Sequence, residues 1–348
     1  MLWTEIYKPK LLTEIKTHSQ VKQILSKFTL QNMPNLIIHG QPGSGKKTLL
    51  YAFINKLYGS YPEMKEVTQE IDNNSTKMEI NYLESGETVI INPSGYKTRD
   101  RLVIQSVVKK IAETRPISSF FSKSKNAMKL VVIDQAENMS VEAQAALRIT
   151  MEKYTDHCRI IMLCSELSRL IEPIRSRSLF IRVASLQNNE IIQILKSITE
   201  KEKINLEENL YEQIAINANG NCRRAISVLE IYCISSNHES SKRMKKDLSG
   251  FKLDWEIKVG TIVEFIKEGK AENMIKIRKE IYEILASAID PHVLYKEIYR
   301  NLIGSNFKKN VQINELAIKF EERLKNGNKP IFHIEAFAAN VLVVMNNK

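Results

Sequence analysis

The sequence predicts an α/β chain that becomes all-helical in its second half, and three observations carry that prediction. Short β-rich runs alternate with helical patterns from residue 35 to about residue 180. A glycine-rich loop separates the first run from an apolar helix. After residue 184 the strand signal stops.

The runs fall at 35–39, 88–92, 130–133, 159–164 and 179–182. Leu130-Val131-Val132-Ile133 and Ile160-Ile161-Met162-Leu163 are apolar on both faces. Strands of that kind belong to a parallel sheet covered by helices on both sides, a doubly wound α/β layer. Three helices with apolar spacing of three and four follow at 188–201, 206–218 and 222–234. Gly220 stands where a turn would part the second from the third. A polar stretch at 235–249, ending at Gly250, reads as a domain boundary. From Asp254 the pattern predicts about five helices, amphipathic at 255–267 and 315–324. The last, 333–345, is apolar on nearly all sides and is expected to be buried in a bundle or an interface.

With 348 residues the chain predicts two or three domains. Its 43% hydrophobic and 26% charged residues are ordinary for a globular protein. No apolar run approaches the roughly 18–20 residues of a membrane span. Met1-Leu2-Trp3-Thr4-Glu5 lacks the basic start and apolar core of a secretory signal. Cys158, Cys164, Cys222 and Cys233 form no C-x-x-C pair and have no His at metal-ligand spacing. That argues against a zinc site and for buried thiols in a reducing compartment. A net charge of +11, from 51 Lys+Arg and 40 Asp+Glu, favours polyanionic partners, nucleic acid first. A lysine-rich solvated surface is the plainer reading of the same charge.

Gly40-Gln41-Pro42-Gly43-Ser44-Gly45-Lys46-Lys47-Thr48 lies between a strand and a helix, the context of a P-loop. The glycines let backbone N–H groups close on phosphate oxygens, and the helix N-terminus adds partial positive charge. Lys46 reaches the outer phosphates. One position departs from the pattern: Lys47 stands where a hydroxyl should hold Mg²⁺, and Thr48 comes one residue late. A charged lysine cannot ligate a metal. A second element, the strand 130–133, ends in Asp134, where P-loop ATPases keep the carboxylate that supports Mg²⁺. Gln135 then stands where a glutamate would polarise the attacking water, and an amide cannot take the proton. A third element, Pro173-Ile174-Arg175-Ser176-Arg177-Ser178, puts two arginines before the last strand. Alone they read as surface charge. Beside a nucleotide domain they suggest an arginine finger for a neighbour's γ-phosphate.

Longer segments resemble a family. Trp3-Thr4-Glu5-Ile6-Tyr7-Lys8-Pro9 is similar to the W-x-E-K-Y-R-P opening of replication factor C small subunits. Ala145-Ala146-Leu147-Arg148-Ile149-Thr150-Met151-Glu152 resembles their Q-A-L-R-R-T-M-E helix, and residues 171–178 their I-x-P-I-R-S-R-C segment. Gly220-Asn221-Cys222-Arg223-Arg224-Ala225 resembles their G-D-x-R-R-A element. The matches run in order over nearly the whole chain. The doubled lysine, Lys77-Met78-Glu79-Ile80, Asn92-Pro93-Ser94 and residues 328–337 resemble one small-subunit class in particular.

The resemblance implies a P-loop AAA+ parallel-sheet domain over 1–184, a helical lid over 185–240 and a helical collar for oligomerisation over 241–348. It implies a nuclear hetero-pentamer that uses ATP to open the PCNA clamp and load it at primer-template DNA. The implied partners are the other replication factor C subunits, PCNA and DNA, with no membrane. ATP or ADP would be held by Gly40, Gly43, Ser44, Gly45, Lys46, Lys47 and Thr48, with Tyr7 and Pro9 near adenine and Arg223 near phosphate. Asp134 is the place for Mg²⁺, if that ion is held at all. Arg177 would reach the next subunit's ATP, and Arg101 and Lys109, within 100–114, would face DNA phosphates. Ser178 replaces the family's cysteine, Ser165 its water-positioning asparagine and Ile149 an arginine. With Lys47 and Gln135 this predicts a site that holds nucleotide and hydrolyses little, in a subunit of a DNA-dependent ATPase. Two other classes compare differently. A self-sufficient P-loop ATPase or motor on DNA would need a threonine at position 47 and a glutamate at 135. A purely structural scaffold would have no use for Lys46 and the glycines.

Overall fold

The apolar runs of the first half meet in one seven-stranded sheet in the computed structural model, which describes residues 2–73, 76–113, 128–155, 158–236, 253–303, 307–327 and 329–346. The strands are β1 (Leu36–His39), β2 (Lys65–Asn73), β3 (Thr76–Ser85), β4 (Thr88–Ile91), β5 (Lys129–Ile133), β6 (Cys158–Cys164) and β7 (Leu179–Arg182). Their order is β2-β3-β4-β5-β6-β1-β7. The five strands from β4 to β7 in that order are parallel, with Leu36 level with Ile161 on one side and Leu179 on the other. Alternate residues feed two cores. Ile37, Val131, Ile133 and Met162 pack with Val107 and Leu147. Leu36, Ile38, Val132 and Leu163 pack with Leu50 and Phe53. In β1, β5 and β6 both faces are dry, which is why they read as unbroken apolar runs, whereas the edge strand β7 leaves Leu179 and Phe180 exposed.

Two further strands extend the five parallel ones. β2 and β3 form an antiparallel hairpin, and β3 runs antiparallel to β4. Their sequences, KEVTQEIDN and TKMEINYLES, mix charged residues through the strand. Ile80 is buried while its neighbour Glu79 is exposed. A strand with one wet face lacks the continuous apolar signal that marked the other five.

Seven helices of this layer are α1 (Trp3–Ile6), α2 (Ser19–Lys27), α3 (Lys46–Tyr58), α4 (Asp100–Val103), α5 (Lys109–Glu113), α6 (Val141–Lys153) and α7 (Glu172–Arg175). A π-helical turn, Ile104–Val108, joins α4 to α5. The segment 100–114 is thus not one regular helix, and Thr114 lies outside the described residues. Ser140 caps α6 by accepting the Ala143 N–H. The same compact unit, Met1–Ile234, includes α8 (Asn188–Glu202), α9 (Glu208–Ala218) and α10, which runs Cys222–Ser236. Asn219 (φ 47°) and Gly220 (φ 79°) turn the chain from α9 into α10 through left-handed backbone.

The second unit, Ser235–Lys348, holds five helices among the described residues. They are α11 (Asp254–Glu268), α12 (Asn273–Ala286), α13 (Pro291–Leu302), α14 (Phe307–Asn326) and α15 (Pro330–Asn346). Val259, Ile262 and Ile266 of α11 meet Ile277, Ile281 and Ile284 of α12 at the spacing of three and four that the sequence carries. Helix α15 buries Ile334, Phe337, Ala338 and Val341 in this bundle, while Val343 is 56% exposed. Most of the polar stretch 235–249, and with it the boundary at 240, lies outside the described residues. No helix among the described residues is long and apolar enough to cross a membrane.

Candidate nucleotide-binding site

Strand β1 delivers the chain into the loop, and α3 begins at Lys46. Gly43 (φ 78°) and Gly45 (φ 92°) take left-handed backbone, which glycine adopts without steric cost. Ser44 Oγ is buried and has no hydrogen-bond partner. A buried hydroxyl left unsatisfied costs about 1–3 kcal/mol, so the loop is built for an acceptor or donor that the chain does not provide. Lys46 folds its ammonium onto the carbonyl oxygens of Gly40 and Gln41. Burial pushes its pKa below the usual lysine value. These features fit a phosphate.

Beside the loop lies a cavity of about 530 Å³ lined by Tyr7, Pro9, Ser44, Gly45 and Thr48 together with Ile194, Ile198 and Cys222. An apolar slot that ends in a glycine loop suits a purine carrying phosphates. Tyr7 is tied to the helices on the far side. Its hydroxyl donates to the Glu202 carboxylate, and Lys201 Nζ lies 5.5 Å from its ring centroid. The bond to Glu202 raises the phenol's pKa. The Trp3 N–H donates to Glu230 Oε2 at 3.2 Å.

Three contacts bind the start of α10 and the segment that follows β7 to the loop. The Cys222 N–H donates to the Gly43 carbonyl at 3.2 Å. A β-carbon on Gly43 would lie 1.8 Å from Asn221 Oδ1, so the amide sits directly over the glycine. That same oxygen caps α10 through the Arg224 N–H at 3.1 Å. Ser185 Oγ donates to Gln41 Oε1 at 3.0 Å.

Lys47 and Asp134 come together as an ion pair, Nζ to Oδ2 at 2.6 Å. They share a smaller cavity of about 160 Å³ with Tyr51 and Asn92. Asn92 Nδ2 donates to Gln135 Oε1 at 3.4 Å. Gln135 itself has positive φ, 52°, an uncommon conformation outside glycine. The sequence reading passed over Lys8. Its ammonium lies 3.7 Å from the Tyr51 ring centroid. Burial lowers its pKa to about 8, and the charges of Lys47 and Arg223 push the same way against Glu5. Arg223 also lowers Lys46, so it stands within electrostatic reach of both Lys8 and Lys46. The basic residue between Tyr7 and Pro9 was the available signal.

Arg177 stands well away from this loop in sequence, between α7 and the start of β7. Its Nε lies 2.7 Å from Glu152 Oε1 on α6. Its Nη1 donates to the Pro173 carbonyl at 2.9 Å. The side chain remains 41% exposed. Arg175 pairs within its own helix, with Glu172 at 2.9 Å.

Arg101 and Lys109 flank the π turn. Val103, Ile104, Val107 and Val108 are buried, a repeat of four. An α-helix of 3.6 residues per turn would drift over that distance, and the wider π turn removes the drift. Arg101, Gln105 and Lys109 therefore emerge on one exposed face. Asp100, only 1% exposed, fixes this segment to α6. Its carboxylate accepts the Ser140 N–H at 2.6 Å and the Ser140 hydroxyl at 2.8 Å.

Comparison with known proteins follows the same order along the chain. Residues 15–187 match the family described as DNA polymerase III, delta subunit. Residues 193–234 match RCF1/5-like, AAA+ ATPase lid domain, and residues 255–348 match replication factor C subunit 3, C-terminal domain. Replication factor C subunit 5 of Oryza sativa subsp. japonica is 35% identical over 99% of this chain and 97% of its own. The chain belongs to the replication factor C small-subunit family. Subunit 3 of Arabidopsis thaliana is 32% identical over 100% of this chain and 98% of its own. Subunit 3 of Homo sapiens is 28% identical over 99% and 96%. These replication factor C relatives carry the number 3 or 5, one class under two numberings, and it is the class the doubled lysine resembles. A RuvB mutant of Thermotoga maritima superposes with a TM-score of 0.52, covering 86% of this chain and 90% of its own at 16% identity. At that identity it speaks to the AAA+ fold alone, which this replication factor C chain shares.

Proposed function

We propose that this replication factor C small subunit is the nucleotide-holding member of a nuclear hetero-pentamer that opens PCNA and loads it at primer-template DNA. In this reading residues 1–184 form the AAA+ domain, 185–240 the lid and 241–348 the collar that assembles the ring. Gly40, Gly43, Ser44, Gly45, Lys46, Lys47 and Thr48 bind the phosphates of ATP or ADP, Tyr7 and Pro9 border the base, and Arg223 joins Lys46 at the phosphates. Bound nucleotide supplies the negative charge that these cations lack. The observation that carries the reading is the Lys47–Asp134 pair at 2.6 Å, with Gln135 next in the chain. Position 47 offers no metal-holding hydroxyl and position 135 no carboxylate. Hydrolysis is then served in trans, through Arg177.

The isolated chain should bind ADP or ATP, and turnover should fall far below the roughly 1–10³ s⁻¹ of typical enzymes. Steady-state turnover within that range, abolished by Lys46→Ala, would overturn the reading and favour a self-sufficient ATPase.

Arg101 and Lys109 are proposed to contact DNA phosphates, supported by their common exposed face. Loss of either should weaken binding of the complex alike for all sequences and lower the salt slope by about one per contact. Unchanged slopes in Arg101→Ala and Lys109→Ala would leave both as surface charge.

A further inference from the structure

Building on the nucleotide-holding reading, we infer that the Lys47 ammonium takes the place of a divalent cation, so that this site binds nucleotide without Mg²⁺. A bound Mg²⁺ needs near-octahedral oxygen donors at about 2.0–2.1 Å and keeps several waters. The position that should provide the hydroxyl donor carries an ammonium, which only donates hydrogen bonds. Thr48, one residue on, does not repair the loss. It lines the large cavity with Tyr7 and Pro9, whereas Lys47 and Asp134 line the small one.

The carboxylate is occupied as well. Asp134 Oδ2 lies 2.6 Å from Lys47 Nζ, with the Asp134 side chain 13% exposed and that of Lys47 51% exposed. The anion is therefore sheltered behind the cation, and the cation faces the open side. A divalent ion approaching Asp134 would meet a fixed positive charge first. For the phosphates, the same ammonium sits on the first turn of α3, where helix N–H groups already favour anions. Lys46, within reach of Asp134 and Glu137, adds a further positive charge beside the loop, and Lys8 and Arg223 add two more. The charge that a metal would bring is thus built into the chain. An ammonium holds a phosphate, but it activates no water, and this agrees with a site that keeps its nucleotide intact.

The test is ADP binding to the full chain by calorimetry, in Mg²⁺ and in excess EDTA. Affinity should agree within about threefold between the two conditions. Lys47→Thr restores the hydroxyl donor and frees Asp134. ADP binding to that variant should weaken by about tenfold or more when EDTA replaces Mg²⁺. Mn²⁺ provides a second reading: its paramagnetic resonance signal should report metal bound with ADP in Lys47→Thr and none in the unaltered chain. A loss of about tenfold in EDTA for the unaltered chain, or Mn²⁺ held there with ADP, would overturn the inference. Failure to bind ADP under both conditions would strike instead at the nucleotide-holding reading, and the inference would go with it.

Discussion

Arg177→Ala, introduced into this subunit alone, is expected to cut ATP hydrolysis at one neighbouring site of the assembled loader by about 10³–10⁵, the usual worth of an arginine finger. Guanidinium is permanently charged and forked, which suits the charge spread over a phosphoryl group in transfer. Arg177 is held through its guanidinium, Nε by Glu152 at 2.7 Å and Nη1 by the Pro173 carbonyl at 2.9 Å, and the side chain stays 41% exposed. A half-exposed ion pair of this kind contributes about 0–1 kcal/mol to stability. The variant should therefore fold, assemble and keep its own nucleotide. Arg175→Ala is the control, because Arg175 is engaged by Glu172 on its own short helix. DNA- and clamp-stimulated ATPase of the complex measures the effect. Undiminished hydrolysis and clamp loading in Arg177→Ala would remove the trans role.

The largest expected effect on stability lies at Phe337. Its side chain is fully buried on α15, with ring centroids 4.8 Å from Tyr295 and 6.2 Å from Phe320. Those partners come from α13 and α14, so one residue joins three helices. Tyr295 is itself fixed by donating to the Ala317 carbonyl at 2.8 Å. Phe337→Ala should destabilise the C-terminal unit by about 3–5 kcal/mol, with the upper part of that range where the cavity cannot collapse. Trp3 and Trp255 are the two tryptophans of the chain, and Trp255 packs against this core. In a Trp3→Phe background, Trp255 fluorescence during urea unfolding reports the unit within the full chain. A midpoint that does not move would show that the three-helix contact is not what holds the unit together.

What the sequence disclosed depended on how far apart the interacting residues lie. The central parallel strands were legible because they are buried on both faces, as Leu36 to Ile38 illustrate, and the edge strand β7 because its residues are apolar even where Leu179 and Phe180 are exposed. The β2–β3 hairpin was not, because its charged face masks the apolar one. The P-loop was legible because its glycines, Lys46 and the following helix are neighbours in sequence. The anchoring of that loop was not. Asn221 lies over Gly43, Glu152 holds Arg177 and Lys8 covers Tyr51, and only the folded chain brings those pairs together. The π turn escaped for another reason. Over five residues, a burial repeat of four is too close to 3.6 for a sequence pattern to tell them apart.

The contacts between α10 and the P-loop bear on time as well as structure. On the proposed reading, Asn221 over Gly43 and Ser185 on Gln41 hold the loop in the shape that binds nucleotide, and loosening them would hasten its release. Departure then waits on a local opening of the protein, and residence is set by how often that opening occurs. A ligand retained in this way behaves as a resident cofactor acquired once, near the end of folding. Because it binds only the folded form, it also adds to stability in proportion to the logarithm of its concentration. The subunit would enter the ring already filled, and its nucleotide would exchange at the rate of that opening, independent of how many clamps are loaded meanwhile.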